Sequence, residues 1–236
     1  MKIEVLFPEY CNLFADSSNV KYLQQCLPLA EFIFTNYLSE PAFVTEKVDL
    51  IYIGAMTEDM QERVIKKLMP YKDCIKKLIE DNVTFLVTSN AIEIFGDYIE
   101  NEDGSRIEAL GIFNFYAKRD MMNRFNCLFR GTFEDMTIVG FKTQFTFAYS
   151  EDFKHPFIKV DKGTGMNPDT GTEGIHYKNF FGTYVIGPLL TLNPYFTRYL
   201  LKTIGVEDPK LAFEDVIIDA YDRRLKEFLD PKCNYY

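Results

Sequence analysis

The sequence predicts an α/β fold in which helices cover both faces of a mostly parallel sheet. Through the first hundred residues, short apolar runs typical of buried strands alternate about three times with amphipathic helical stretches. The second half is rich in β-branched and aromatic runs, which predict antiparallel additions to that sheet. The chain has 236 residues, 47% of them hydrophobic, which is enough to bury a core. We therefore expect a three-layer α/β/α sandwich that forms a single domain over residues 1–236.

The first half supplies the predicted parallel strands and their helices. Residues 2–7 predict the first strand, and the polar residues 16–19 are natural caps for the helix that follows. Residues 47–54 predict a buried strand that ends at a glycine. A helix is expected over 55–79, divided by Pro70 because proline interrupts helical hydrogen bonding.

A strand that turns sharply into a helix is predicted next. Residues 83–87 form an apolar run, and Ile92 opens an apolar helical face. The corner between them places Ser89 at its apex, beside the unpaired N–H groups of a helix start. Hydrolases expose a serine or cysteine nucleophile in this way. A corner hydroxyl that caps the helix is the interpretation we prefer, because Ser, Thr, Asp and Asn commonly have that role.

Ligands of parallel sheets bind beyond the carboxyl ends of the strands, so the loops after Phe7, Ile53 and Val87 should meet at one site. The second half predicts strands and then two helices. The expected strands are 110–116, 136–141, 144–149 and one or two within 175–187, with a polar loop at 162–173 and helices from Pro194 and over 213–228.

Composition excludes several classes of function. A net charge of -9 disfavours binding to nucleic acid, which needs clustered Lys and Arg. No apolar stretch approaches the length of a membrane span, and the N-terminus does not resemble a secretory signal. Five scattered cysteines and two histidines predict reduced thiols, no metal site and no cofactor. We expect a cytoplasmic protein.

Several segments, taken in order, resemble the class I glutamine amidotransferases of the cobyric-acid-synthase-like (CobB/CobQ-like) branch. The resemblance covers most of residues 3–200 and is most specific at EGIHYKN and in the following GTYVIGPLL. It implies a flavodoxin-like sandwich and a glutaminase subunit. Within the branch, the segments are most similar to the subunits that serve a Mur-ligase-like (MurT-type) synthetase in amidating a cell-wall precursor. The segments are LFPEYCNLFADSSNV, VDLIYIGAMTEDMQ, FLVTSNAIEIFGDYIENEDGSRIEALGIFNFY, MTIVGFKTQF and EGIHYKNFFGTYVIGPLLTLNP.

The chain departs from this family at the catalytic positions. Ser89 falls on the nucleophilic cysteine, and Ile186 falls on the catalytic histidine of the family's G-T-Y-L-H-G-P motif. The stretch at 141–144 replaces an F-E-N-H-like motif. We therefore expect no catalytic residues. The resemblance implies that the family's pocket positions are Gly54, Ala55, Asn90, Ala91 and Glu93.

Three functions follow as hypotheses. The first is a degenerate amidotransferase subunit that binds or regulates a Mur-ligase-like synthetase. Four aromatic residues near the C-terminus are compatible with a docking face: Tyr221, Phe228, Tyr235 and Tyr236. Core packing is the safer interpretation for most of them. The second is an active hydrolase or amidotransferase that uses Ser89. The third is a free-standing module whose cleft holds glutamine or another small ligand.

The remaining polar candidates are two histidines, two arginines, Asp16 and Asn19. His176 is expected to have a structural role, because the family carries the same EGIHYKN segment, and His155 could not be placed. Asp16 and Asn19 match polar family positions at the pocket rim, but a helix cap explains them as well. Arg119 and Arg124 could line a route toward a partner, although solvated surface arginines are commoner.

Overall fold

The structure, a computed structural model, describes residues 1–230. Two sheets and the helices around them make up this part of the chain. Its strands are β1 (Lys2–Leu6), β2 (Glu31–Thr35), β3 (Leu50–Ile53), β4 (Thr84–Thr88), β5 (Tyr98–Glu100), β6 (Arg106–Glu108), β7 (Tyr116–Arg119), β8 (Phe125–Phe133), β9 (Met136–Gln144), β10 (Thr146–Tyr149), β11 (Pro156–Lys162), β12 (Thr172–Tyr177) and β13 (Phe180–Thr183). Its α-helices are α1 (Ser17–Cys26), α2 (Glu58–Leu68), α3 (Lys72–Glu80), α4 (Leu189–Leu192), α5 (Pro194–Thr203) and α6 (Glu214–Leu229).

The larger sheet has the order β2-β1-β3-β4-β13-β12-β11-β8-β9. Its first five strands run parallel to one another. The remaining strands join by antiparallel pairing. The predicted parallel sheet with antiparallel additions is therefore confirmed. β8 and β11 were missed, although β8 carries a period-two burial pattern.

This sheet is the middle one of three layers, as predicted. The apolar face of α1 and the short helices α4 and α5 pack on one side. On the other side lie α2, α3 and a four-stranded sheet of order β10-β7-β5-β6. The helix predicted over 55–79 is divided as expected, because Pro70 lies in a 3₁₀ turn between α2 and α3. No helix within residues 1–230 has the length and apolar character needed to cross a bilayer.

Two predicted elements were wrong. Residues 110–115 form no strand, since Leu110 donates its N–H to Ile94 O and Ile112 donates to Phe95 O. The helix after the corner is a short 3₁₀ helix over Ser89–Phe95, in which every residue is buried. The two errors share a cause, because the 110–113 segment takes the carbonyls through which a longer helix would continue.

The proposed aromatic docking face is only partly described. Tyr221 and Phe228 are buried against Val139, so for these two residues core packing was the correct interpretation. Tyr235 and Tyr236 lie outside the described residues, as does the fifth cysteine, Cys233. The other four cysteines are free thiols.

Candidate functional site

The loops after β1, β3 and β4 meet at the carboxyl edge of the parallel sheet, as the sequence predicted. Asp16 joins them. Its fully buried carboxylate accepts hydrogen bonds from Ala55 N (2.8 Å), from Asn19 Nδ2 (2.7 Å) and from the Thr88 hydroxyl. Burial raises the pKa of this carboxyl. Asp16 makes no capping bond to α1, so the helix-cap alternative for this residue was wrong.

Gly54 is the position in this loop cluster where no side chain fits. A Cβ atom there would lie 2.6 Å from Cys11 O and 2.7 Å from Asp16 Oδ2. Both distances are shorter than any ordinary carbon–oxygen contact. The glycine therefore allows the loops after β1 and β3 to approach each other closely enough for the Asp16 hydrogen bonds.

Ser89 lies at the apex of the corner in a strained conformation. Its φ of 57° is in the left-handed region, which costs an L-residue roughly 1–2 kcal/mol. The neighbouring 3₁₀ helix has no side-chain cap, and the Ser89 hydroxyl has no hydrogen-bond partner among residues 1–230. The preferred prediction of a capping hydroxyl is therefore wrong. A strained turn that presents an unpaired hydroxyl is the geometry of a nucleophile elbow.

The hydroxyl faces a cleft of about 140 Å³. Neither an imidazole nor a thiol occurs in the part of its lining that the structure describes. The lining residues are Leu13, Phe14, Met56, Thr57, Glu58, Ser89, Asn90, Arg124, Thr143, Gln144, Phe145 and Thr146.

Both histidines contact aromatic rings outside the described lining of the Ser89 cleft. The His176 ring stacks on Phe181 with centroids 4.6 Å apart, on the sheet face that α5 covers. Its pKa is lowered by burial, as fits a neutral ring within an aromatic cluster. The His155 ring lies 4.6 Å from that of Tyr177, beside a separate cavity.

Ile186, which we expected at the position of the family histidine, is fully buried. Its backbone forms a two-way bridge with Phe141, through N–H to O bonds of 3.0 and 3.1 Å. Its side chain is a hydrocarbon and can neither accept nor donate a proton.

The Asn90 side chain, next to Ser89 in the corner, bonds to the backbone of Met56 in the loop after β3. Its Oδ1 accepts from Met56 N (3.2 Å), and its Nδ2 donates to Met56 O (2.8 Å). A backbone N–H in the loop after β3 is the kind of donor that stabilises an oxyanion in acyl-transfer sites. Here that N–H is already engaged by the Asn90 side chain.

The five predicted pocket positions divide between the cleft and the core. Asn90 lines the cleft. The N–H of Ala55 is bonded to Asp16, and Gly54 and Ala91 are packed in the interior. Glu93 lies beneath the corner and is nearly inaccessible to solvent.

Glu93 belongs to a buried polar network. Its carboxyl accepts from Gln61 Nε2 (2.8 Å) and from the Tyr184 hydroxyl (3.1 Å). Gln61 Nε2 also donates to Asn90 O (2.6 Å), so the network supports the corner directly. Burial raises the Glu93 pKa to about 7, and the nearby Arg119 guanidinium partly opposes this shift. A group with such a pKa changes its charge near neutral pH.

The two arginines have different positions. Arg119 is buried, where it pairs with Glu62 (2.8 Å) and donates to Gln61 Oε1 (2.8 Å), so it is not a solvated surface residue. Arg124 lines the cleft, with its guanidinium 4.6 Å from the centroid of the Phe145 ring.

Gln144 is the cleft residue that sequence reasoning missed. Its Nε2 donates to Thr146 O (2.5 Å), while its buried Oε1 has no partner among the described residues. The sequence held one signal for it, because Gln144 closes the 141–144 stretch that we expected to depart from the family motif. The cleft is thus lined by two residues with an oxygen unpaired within the described part of the chain, Ser89 and Gln144, and by the cation of Arg124.

The fold and the corner define an amidotransferase-like α/β protein, with five parallel strands in its larger sheet and a strained residue above their carboxyl edge. The family model for the CobB/CobQ-like glutamine amidotransferase domain matches residues 2–194, and the chain belongs to that family. A solved structure of a glutamine amidotransferase covers 86% of this chain and 99% of its own, with a TM-score of 0.55 and 11% identity, which supports the fold.

Two curated relatives are more similar in sequence. The chain is 32% identical over 228 residues to the GatD subunit of lipid II isoglutaminyl synthase (glutamine-hydrolyzing) from Staphylococcus aureus, covering 94% of this chain and 92% of the relative. It is 26% identical over 226 residues to the subunit of the same name from Streptococcus pneumoniae, covering 92% of this chain and 87% of the relative.

Proposed function

We propose that this protein is a GatD-like amidotransferase subunit that has lost glutaminase activity. In this proposal it binds or regulates a Mur-ligase-like (MurT-type) synthetase in cell-wall precursor amidation. The observation that carries the proposal is the described lining of the cleft at Ser89, which holds neither an imidazole nor a thiol.

The chemistry of amide hydrolysis supports the loss of activity. A serine hydroxyl needs an adjacent base to take its proton, and the same group must later protonate the leaving ammonia. Ile186 can do neither, and Glu58 is the one carboxylate in the described lining. Loss of one member of such a unit typically costs about 10⁴-fold or more in rate.

The partner is inferred from the relatives. Both are named as subunits of a glutamine-hydrolyzing synthase, so a protein of this size and coverage is expected to work with a synthetase subunit. A subunit without glutaminase chemistry would retain the docking surface while leaving ammonia supply to another source.

An assay of ammonia release from glutamine tests the proposal, with and without a candidate synthetase. We expect no release above that of a Ser89→Ala variant in either case. Release that disappears in Ser89→Ala would show instead that Ser89 acts as a nucleophile, and would support the active-hydrolase alternative.

Restoring the family residues tests whether the chemistry alone is missing. We expect Ser89→Cys combined with Asn90→Gly and Ile186→His to release ammonia from glutamine, because the three changes supply a nucleophile, a base and a free Met56 N–H. The matched control carries Ser89→Ala with the same two other changes. No difference between the two triple variants would mean that the glutamine pocket is also lost.

One observation favours a second function, a module that binds a small ligand without reacting with it. The unpaired Gln144 Oε1 can accept a hydrogen bond from a ligand N–H, and Arg124 can hold an anionic group in the same cleft. Calorimetric titration with glutamine and glutamate tests this function. Binding that is lost in Gln144→Leu, without any synthetase present, would favour the binding module.

A further inference from the structure

The two edge strands of the nine-stranded sheet differ in whether their outward backbone groups have hydrogen-bond partners. At β9, Asn193 covers the outer edge, since its Oδ1 accepts from Val139 N (2.8 Å) and its Nδ2 donates to Val139 O (2.8 Å). The Tyr221 hydroxyl of α6 donates to Thr137 O (2.9 Å) on the same strand. Side chains thus satisfy this edge and prevent further strand pairing there.

The edge at β2 has no such cover. Glu31 donates its N–H to Met1 O and Thr35 accepts from Phe7 N, so residues 31, 33 and 35 face β1. Because the backbone groups of a strand alternate in direction, those of Phe32 and Phe34 point outward. Within residues 1–230, no strand pairs with this outer side.

β2 also lacks the features that usually protect an exposed edge. It contains no lysine, arginine, proline or bulge, and its one charge, Glu31, is paired with Lys2 at 3.5 Å. Phe34 is 47% exposed, and the turns at either end of β2 expose Leu29 (98%) and Leu38 (92%). The exposed large side chains along this edge are therefore mostly apolar, and the strand carries open backbone donors and acceptors.

We propose that β2 pairs with the β2 strand of a second copy of this chain, antiparallel and about a two-fold axis. In the central register Ile33 lies opposite its own copy, and Phe32 lies opposite Phe34 of the second copy. Both phenylalanines then exchange the backbone hydrogen bonds that are otherwise open. The two large sheets become one continuous sheet.

The residue pattern of β2 is self-complementary, which favours a second copy over an unrelated chain. In this register Glu31 lies opposite Thr35 of the second copy, so no like charges meet. Phe34 also lines a groove of about 150 Å³ with Val5 and Val20 of α1. Phe32 of the second copy packs beside this groove, and the exposed leucines at the strand ends lie next to the opposite turns.

Oligomeric state gives the first test. Sedimentation velocity of the full chain should show a concentration-dependent dimer. Phe34→Lys places a charge on the edge and should raise the dimer dissociation constant about tenfold or more. The matched control is Val216→Lys, which makes the same kind of change at a 69% exposed position on α6 and should leave the dimer intact. A wild-type monomer at every concentration, or a dimer that Phe34→Lys leaves unchanged, would overturn the proposal.

Cross-linking tests the register. Ile33→Cys should form an intermolecular disulfide under mild oxidation, because opposed residues of a non-hydrogen-bonded antiparallel pair lie at disulfide distance. In Phe34→Cys the new thiol lies opposite Phe32 of the second copy, which has no thiol. This variant should therefore cross-link no more than the wild-type chain, whose native cysteines set the background level. Far-UV circular dichroism confirms that each variant is folded. Efficient cross-linking through position 34 rather than 33 would contradict this pairing.

Discussion

At the scale of single residues, Asp16 holds the carboxyl edge of the parallel sheet together. It is one buried carboxylate with donors from three parts of the fold: Ala55 N in the loop after β3, Asn19 Nδ2 in α1 and the Thr88 hydroxyl at the end of β4. Burial disfavours its charge, and the three donors compensate for the water that the carboxylate lost. The shape of the cleft therefore depends on a residue that does not line it.

Removing this carboxylate should destabilise the protein. Asp16→Ala removes the shared acceptor of three buried donors, and we expect the free energy of unfolding to fall by about 3 kcal/mol. Asp16→Asn keeps one acceptor oxygen and should cost about half as much. Urea denaturation of both variants measures the effect. A loss in Asp16→Ala no larger than that in Asp16→Asn would show that the hydrogen bonds contribute little.

Glu93 should make stability depend on pH near neutrality. Its pKa is raised from 4.5 to about 7 by burial, so the folded state binds a proton that the unfolded state releases. The stability from protonated Glu93 is fully present below pH 4.5 and is lost as the pH rises through about 7. Glu93→Gln removes the titration and keeps the shape of the group.

We therefore expect the free energy of unfolding of Glu93→Gln, relative to wild type, to rise between pH 4.5 and 7.5 by about 3 kcal/mol. Denaturation of both proteins across this pH range measures the difference between their free energies of unfolding. The contributions of the other buried carboxyl groups are the same in both proteins and cancel in this difference. A difference that stays constant with pH would mean that Glu93 is ionised throughout.

At the scale of elements, the strand and corner around Ser89 were predictable because they are local. A buried apolar run that ends in polar residues indicates where a strand stops. The short 3₁₀ helix was not predictable, because its length is set by hydrogen bonds from residues 110–113. The network of Gln61, Tyr184 and Arg119 below the corner was missed for the same reason, since its members come from three distant elements. Local patterns cannot reveal such pairings.

An ion pair buried beneath the site connects β9 with β12. Lys142 Nζ lies 3.9 Å from Glu173 Oε1 and donates to Gly165 O (2.6 Å), and both side chains are fully buried. Glu173 in turn accepts from Tyr184 N (2.7 Å). Burial lowers the lysine pKa and raises that of the glutamate, so each group depends on the other for its charge.

Removing one member of this pair should cost more than replacing both. We expect Lys142→Met to lower the free energy of unfolding by about 3 kcal/mol, because Glu173 loses its buried cation. Adding Glu173→Gln should recover a large part, because no uncompensated charge remains. A double-mutant cycle from urea denaturation measures the coupling. Additive losses would show that the two residues act independently.

At the scale of the whole molecule, the two sheets differ in the burial and the strand pairing of their members. β3 is buried at every residue and lies between two parallel neighbours. β6 is three residues long, mostly exposed, and pairs with β5 alone. Segments with few buried contacts open at lower free energy than the global unfolding reaction.

Native-state hydrogen exchange should therefore separate the sheets. We expect amides of β6 to exchange about 100-fold faster than those of β3, because β6 opens locally while β3 opens only with global unfolding. Ile51→Val, in the core of β3, should accelerate exchange in β3 because it lowers global stability, and should leave the β6 rates unchanged because β3 stays folded when β6 opens locally. Ile107→Ala, in β6, should accelerate exchange in both strands, since β6 is unfolded in the local and in the global opening. Acceleration of β6 by Ile51→Val would show that the small sheet unfolds only together with the large one.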